Sequence, residues 1–201
     1  MKLNMREALA KFVDPVISEM QLPGITLDTE KIKAIMINEV VPYNPADDFY
    51  GGNTPPYYLT TTLPLFEKAG FIAESIDDII ATGIYITNAV KVPKSVTTIS
   101  REMIEKCVPV LDYEMALFPN LKVIMLMGDV AKKAFNMITK AKTKKNAVPS
   151  ISTYKLRKSE LFYEGKRIFP SYIMTGGNIL IEKSKVEMAA EDIQKMLTII
   201  K

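Results

Sequence analysis

The 201-residue chain has no histidine and no tryptophan, and its one cysteine is Cys107. Without histidine there is no Ser-His-Asp or Cys-His nucleophile pair, no imidazole metal ligand and no imidazole general base. A lone cysteine excludes an internal disulfide and leaves no thiolate set for a zinc or iron–sulfur site. No segment approaches the ~18 unbroken apolar residues of a membrane span. The opening MKLNMREALAKFVDP carries charges where a signal peptide needs its apolar core, so a cytoplasmic protein is expected. Chemistry is left to carboxylates, amides, hydroxyls, lysines and backbone dipoles.

What is present describes a soluble globular protein: 48% hydrophobic and 24% charged residues. The length suits one domain over residues 1–201, and a monomer is the expectation. A net charge of +3 permits a polyanionic partner without requiring one.

The organising stretch is KAIMINEVVPYNPADD, from Lys33 to Asp48. Its apolar first half suits a strand buried on both faces of a parallel sheet. Asn38 and Glu39 interrupt it near the end, before Pro42, Asn44, Pro45, Asp47 and Asp48. Polar groups are thereby delivered to the rim of a sheet, where open α/β sheets bind ligands. Upstream, Ala8, Phe12, Val16 and Met20 recur every fourth position, which predicts a helix over Asn4 to Met20, kinked at Pro15. Asp28 is placed to cap a turn leading into the strand.

Downstream, Tyr43 to Tyr58 is too rich in Pro, Gly and Asn for regular structure, yet its tyrosines argue for an ordered, functional loop. Leu59 to Gly70 reads as a helix ended by its glycine, and Ser75 to Ile80 as a short helical piece. A second buried strand, Gly83 to Asn88, also ends in an asparagine, whose amide donates and accepts at once. A helix from Ser100 to Leu117 precedes a third strand, Leu121 to Met127. Gly128-Asp129 then opens a helix over Val130 to Lys140, and Lys140, Lys142, Lys144 and Lys145 are expected in a loop. Leu161-Phe162-Tyr163 and Arg167-Ile168-Phe169 flank Glu164-Gly165 as a hairpin. Thr175 to Asn178 reads as a polar loop at the same rim, and Lys183 to Lys201 as a closing helix.

Taken together, NEVVPYNP, ITNAVK, CVPVLDYEMALFPNLKVIMLMGDVA and FPSYIMTGG resemble the uracil-DNA glycosylase superfamily, nearest its iron–sulfur branch. The resemblance implies a three-layer α/β/α sandwich around a central parallel four-stranded sheet, with a pocket for a base flipped out of DNA. It places Asn38-Glu39-Val40-Val41-Pro42 on the family's first motif, with its starting glycine replaced, and puts Val40 where some branches carry a water-activating Asp or Asn. Phe169-Pro170-Ser171 falls on the second motif, with Phe169 where a histidine is usual. Only Cys107 matches a cluster cysteine, so neither a metal cluster nor another cofactor is expected.

Two functions follow from the resemblance: excision or recognition of uracil or another damaged base, or a non-catalytic relative that binds a nucleobase, nucleotide or nucleic acid. In the first, Glu39 or Asp48 (or Asp47) orients water. Asn88 reads the base, Tyr50 or Tyr57 stacks on it, and the backbone from Ser171 to Gly177 supplies donors. Lys91, Lys94, Lys183 and Gly176 hold DNA phosphates.

Overall fold

Two short strands, β1 (Lys2–Asn4) and β2 (Thr26–Asp28), pair antiparallel in a computed structural model that describes residues 2–13, 19–95 and 98–201. Between them α1 spans Met5–Ala10, and its first turn is capped by the Asn4 side chain, which accepts the Glu7 N–H at 3.2 Å. The helix expected to reach Met20 therefore ends at Ala10. Pairing with β2 holds Lys2–Asn4 extended, and the amides of Phe12 and Val13 turn back to carbonyls three residues earlier. Phe12 then stacks on Tyr113, centroids 3.9 Å apart. The expected kink at Pro15 lies outside the described residues.

Asp28 accepts the Glu30 N–H and starts a 3-10 turn over Thr29–Lys31, which leads into β3 (Ala34–Val40). There follow α2 (Tyr57–Lys68), α3 (Ile76–Ala81), β4 (Ile84–Val90), α4 (Arg101–Ala116), β5 (Val123–Met127), α5 (Asp129–Thr143), α6 (Thr153–Leu156), β6 (Leu161–Tyr163), β7 (Lys166–Ser171), α7 (Asn178–Ile181) and α8 (Lys183–Ile200). The sheet order is β4-β3-β5-β7-β6. Strands β4, β3, β5 and β7 run parallel. β6 adds an antiparallel edge through the expected hairpin, whose turn residues Glu164 and Gly165 both have positive φ, 48° and 75°.

Alternation along the strands sends side chains to two cores. Ile35, Ile37, Tyr85, Ile124, Leu126 and Ile168 face α4 and α5. Met36, Ile84, Ile86, Met125 and Phe169 face the side covered by α2 and α8. A parallel sheet covered on both faces needs such apolar strands, and the three-layer α/β/α arrangement follows.

Two boundaries shift. α2 begins at Tyr57 inside the expected loop, and a 3-10 turn at Pro45–Asp47 orders part of the remainder. α5 runs on to Thr143, so Lys140 and Lys142 sit in its last turn rather than in a loop. Cations there complement the helix dipole, and Lys144 ends the helix with a left-handed φ of 64°.

Candidate functional site

A cleft of about 860 Å³ opens at the C-terminal ends of the parallel strands. Its walls come from the end of β3, the loop after it, the start of α2, Gly128-Asp129 and the segment from Ser171 to Ile179. The volume lies within the ~300–1,000 Å³ usual for small-ligand sites.

Glu39 reaches the cleft from β3, and its Oε1 accepts the Val130 N–H at 3.0 Å in the first turn of α5. Burial pushes its carboxyl above the ordinary value and the Asp129 charge adds to this, while the helix amides and Lys94 oppose the shift. Gly128 makes the approach possible. Its φ is 101°, and a Cβ there would lie 2.3 Å from Glu39 Oε1 and 2.6 Å from Ile173 Cγ1.

Asn38 and Asn88 occupy partner positions on β3 and β4, and it is Asn38, not Asn88, that lines the cleft. Asn38 Nδ2 donates to Asn88 Oδ1 at 2.7 Å, and Asn88 Nδ2 donates to Asp48 Oδ1 at 2.8 Å. On the cleft side, Asn38 Oδ1 accepts from Thr175 Oγ1 at 3.0 Å. The expected base reader therefore lies one side chain behind the surface, with Asn38 between it and the cleft. Asp48 is likewise absent from the lining, where Asp47 stands instead. Burial raises the Asp48 carboxyl, and the hydrogen bond from Asn88 opposes the shift.

The other expected site residues divide. Tyr57 lines the cleft and is 45% exposed, free to lie against a flat ligand. Tyr50 does not line it: its ring stacks on Tyr85 and its hydroxyl donates to Ile86 O at 2.8 Å. Ser171 and Gly176 line the cleft, as does Lys94. The Gly176 N–H, however, donates to Thr61 Oγ1 at 3.2 Å instead of facing a ligand.

Lys91 cannot reach a phosphate. It is 1% exposed, and its Nζ is held by Glu114 Oε2 and Thr87 Oγ1, both at 2.6 Å. Glu114 also accepts from Tyr85 and Thr87, which satisfies the buried charge pair. Lys183 is exposed outside the cleft, and Lys185, two residues on, is the lysine of α8 that lines it. Phe169 is buried in the core beneath the site and gives the cleft nothing polar.

Three further residues support the site: Tyr58 and Thr175, expected only as parts of loops at this rim, and Asp192, which the sequence reading did not single out. Tyr58 lines the cleft and donates to Val40 O at 2.9 Å. Thr175 holds the exposed side of the Asn38 amide. Asp192 on α8 accepts from Ser171 Oγ at 2.6 Å and from Arg157 Nε at 2.7 Å. A signal for Asp192 was available: it is an acid at helical spacing from Ala189 and Met196, on an otherwise apolar face.

Among the described residues, no cluster of His, Cys, Asp or Glu is arranged to hold a metal ion. No described helix is long and apolar enough to cross a membrane. A family model described as Uracil DNA glycosylase superfamily matches residues 41–176, more than half of the chain. No curated protein matches it.

Proposed function

Because this chain belongs to the uracil-DNA glycosylase superfamily, we propose that its cleft receives a single nucleobase turned out of a DNA strand. The observation that carries this reading is the pair Asn38 and Glu39. These neighbours on β3 bring an amide and a carboxylate to one concave site, beside Tyr57 for stacking and beside Lys94 and Lys185 for phosphate. An oligonucleotide with one unpaired base opposite a gap tests it against the same oligonucleotide with an abasic analogue at that position. The base-bearing strand binds more tightly, and equal binding refutes the reading.

A second reading adds cleavage of the N-glycosidic bond and rests on Glu39. Its partly buried carboxylate is fixed by a helix amide, as a group that orients an attacking water requires. Against it, Phe169 cannot donate to the departing base, and removing one such donor costs ~10²–10³ in rate where it is present. Prolonged incubation at high protein concentration, followed by alkali to break abasic sites, decides. Strand breaks that disappear in Glu39→Gln support hydrolysis, and no breaks leaves recognition alone.

A further inference from the structure

Asn38, Tyr58, Ser171 and Thr175, side chains that line the cleft, share one property: each engages its hydrogens within the protein. Asn38 Nδ2 points to Asn88 Oδ1 at 2.7 Å and to Val40 O at 3.4 Å, so both of its hydrogens are engaged within the protein. Thr175 Oγ1 donates to Asn38 Oδ1 at 3.0 Å. Tyr58 donates to Val40 O at 2.9 Å, and Ser171 to Asp192 Oδ2 at 2.6 Å. What these groups leave to a ligand is oxygen lone pairs, and the Glu39 carboxylate adds more.

This polarity is fixed from behind. A carboxylate accepts and does not donate, so Asp48 obliges Asn88 to turn its amino group toward it. Asn88 must then show its carbonyl oxygen to Asn38, and Asn38 must turn its own carbonyl oxygen toward the cleft. Asp192 sets the Ser171 hydroxyl in the same way, and is itself held by Arg157. The cleft's cationic donors, Lys94 and Lys185, are more exposed than Asn38, Tyr58 and Ser171, and Lys185 pairs with Glu182 at 2.7 Å.

We propose that these side chains accept hydrogen bonds only, and so select a nucleobase edge that leads with an exocyclic amino group over one that leads with a carbonyl oxygen. A carbonyl edge would set lone pairs against lone pairs, whereas an amino group meets Asn38 Oδ1 and Thr175 Oγ1 directly. Asp48 and Asn88 act as positioning residues, transmitting the direction of the hydrogen bonds without touching the ligand. The inference rests on the reading of the cleft as a base site, and it names the chemical class of base.

Two matched pairs test it: oligonucleotides carrying one unpaired cytosine or uracil, and one unpaired adenine or hypoxanthine, with an abasic analogue as reference. Each pair exchanges an amino group for a carbonyl oxygen. The amino member is expected to bind about tenfold tighter in both pairs. Equal or tighter binding of the carbonyl members, with all four above the abasic reference, overturns the inference and leaves the base site standing. If none exceeds the reference, the base site itself falls. Asp48→Asn frees the chain of amides to reverse and is expected to reduce the preference to below about threefold. Thr175→Val, which removes an acceptor and leaves Asp48 in place, weakens the amino members selectively and decides the matter should Asp48→Asn fail to fold. A preference unchanged in both variants overturns the assignment.

Discussion

Asn38 and Asn88 face one another across β3 and β4, at the same register of two parallel strands, with 2.7 Å between the amide nitrogen of the first and the carbonyl oxygen of the second. The pair joins the sheet core to the cleft, since one end of it meets Asp48 and the other Thr175. Replacing Asn88 by Leu strands the Asn38 amide and the Asp48 carboxylate together, and should lower stability by ~2–4 kcal/mol. The urea midpoint measures it. Asn88→Asp, which sets two carboxylates in contact, should lose as much at neutral pH and recover on acidification; a variant indifferent to pH would contradict the arrangement.

Gly128→Ala should be poorly tolerated. A methyl group there meets Glu39 and Ile173 inside van der Waals distance, on a backbone whose φ of 101° already disfavours a side chain. A loss of ~1–3 kcal/mol is expected, together with weaker ligand binding as Glu39 is displaced from Val130. Wild-type binding and stability in this variant would show that the carboxylate does not depend on the glycine.

Lys91 and Lys94, three residues apart, should behave as different kinds of residue. Lys91→Met leaves the Glu114 carboxylate without its cation in the core and should cost ~3–5 kcal/mol. The salt dependence of oligonucleotide binding should be unchanged in whatever protein remains folded. Lys94→Ala should leave stability nearly intact and reduce the slope of log K against log salt by about 1. The reverse pattern would place Lys91 at the nucleic acid after all.

Stability should rise, not fall, on mild acidification. Burial raises the carboxyls of Glu39, Asp48 and Asp192 above their ordinary values, so the folded chain binds protons more tightly than the unfolded one. Their contribution is fully present below the unfolded carboxyl pKa of about 4 and is lost as pH rises through the raised folded values. The exposed carboxyls of Asp28, Asp78 and Glu102, shifted down, act in the opposite sense and are screened by solvent. The thermal midpoint should therefore increase between pH 7 and about pH 5, less so in Asp48→Asn. A midpoint that declines over that range in both proteins would reverse the sign.

The sheet was legible because buried parallel strands have no wet face: Ala34 to Ile37 and Val123 to Met127 are continuous apolar runs. Glu39, Lys94 and Tyr57 were legible because the rim of such a sheet follows from where those runs end. What misled was the step from position along the chain to direction of the side chain. Lys91, at a strand end, invited a phosphate, but the alternation of the strand turns it toward α4 and Glu114. Asn88 fits a reader of bases in every respect except that Asn38, one strand away, lies in front of it, and a pairing across strands is not written in either segment alone. The helix expected over Asn4 to Met20 begins where its cap predicts but ends at Ala10, because a stripe of apolar residues does not reveal that the amides of Phe12 and Val13 turn back to Leu9 and Ala10.

The hairpin at the far edge of the sheet has a consequence beyond the cleft. β6 is an edge strand of only three residues, and Phe162 upon it, 58% exposed, is shielded by the Arg167 guanidinium 5.4 Å from its ring centre. An edge that short, with a cation over its one prominent aromatic, is a poor template for a neighbouring chain to extend. The protein should accordingly resist β-mediated self-assembly along this margin when it is concentrated, and Arg167→Ser is the change expected to weaken that resistance.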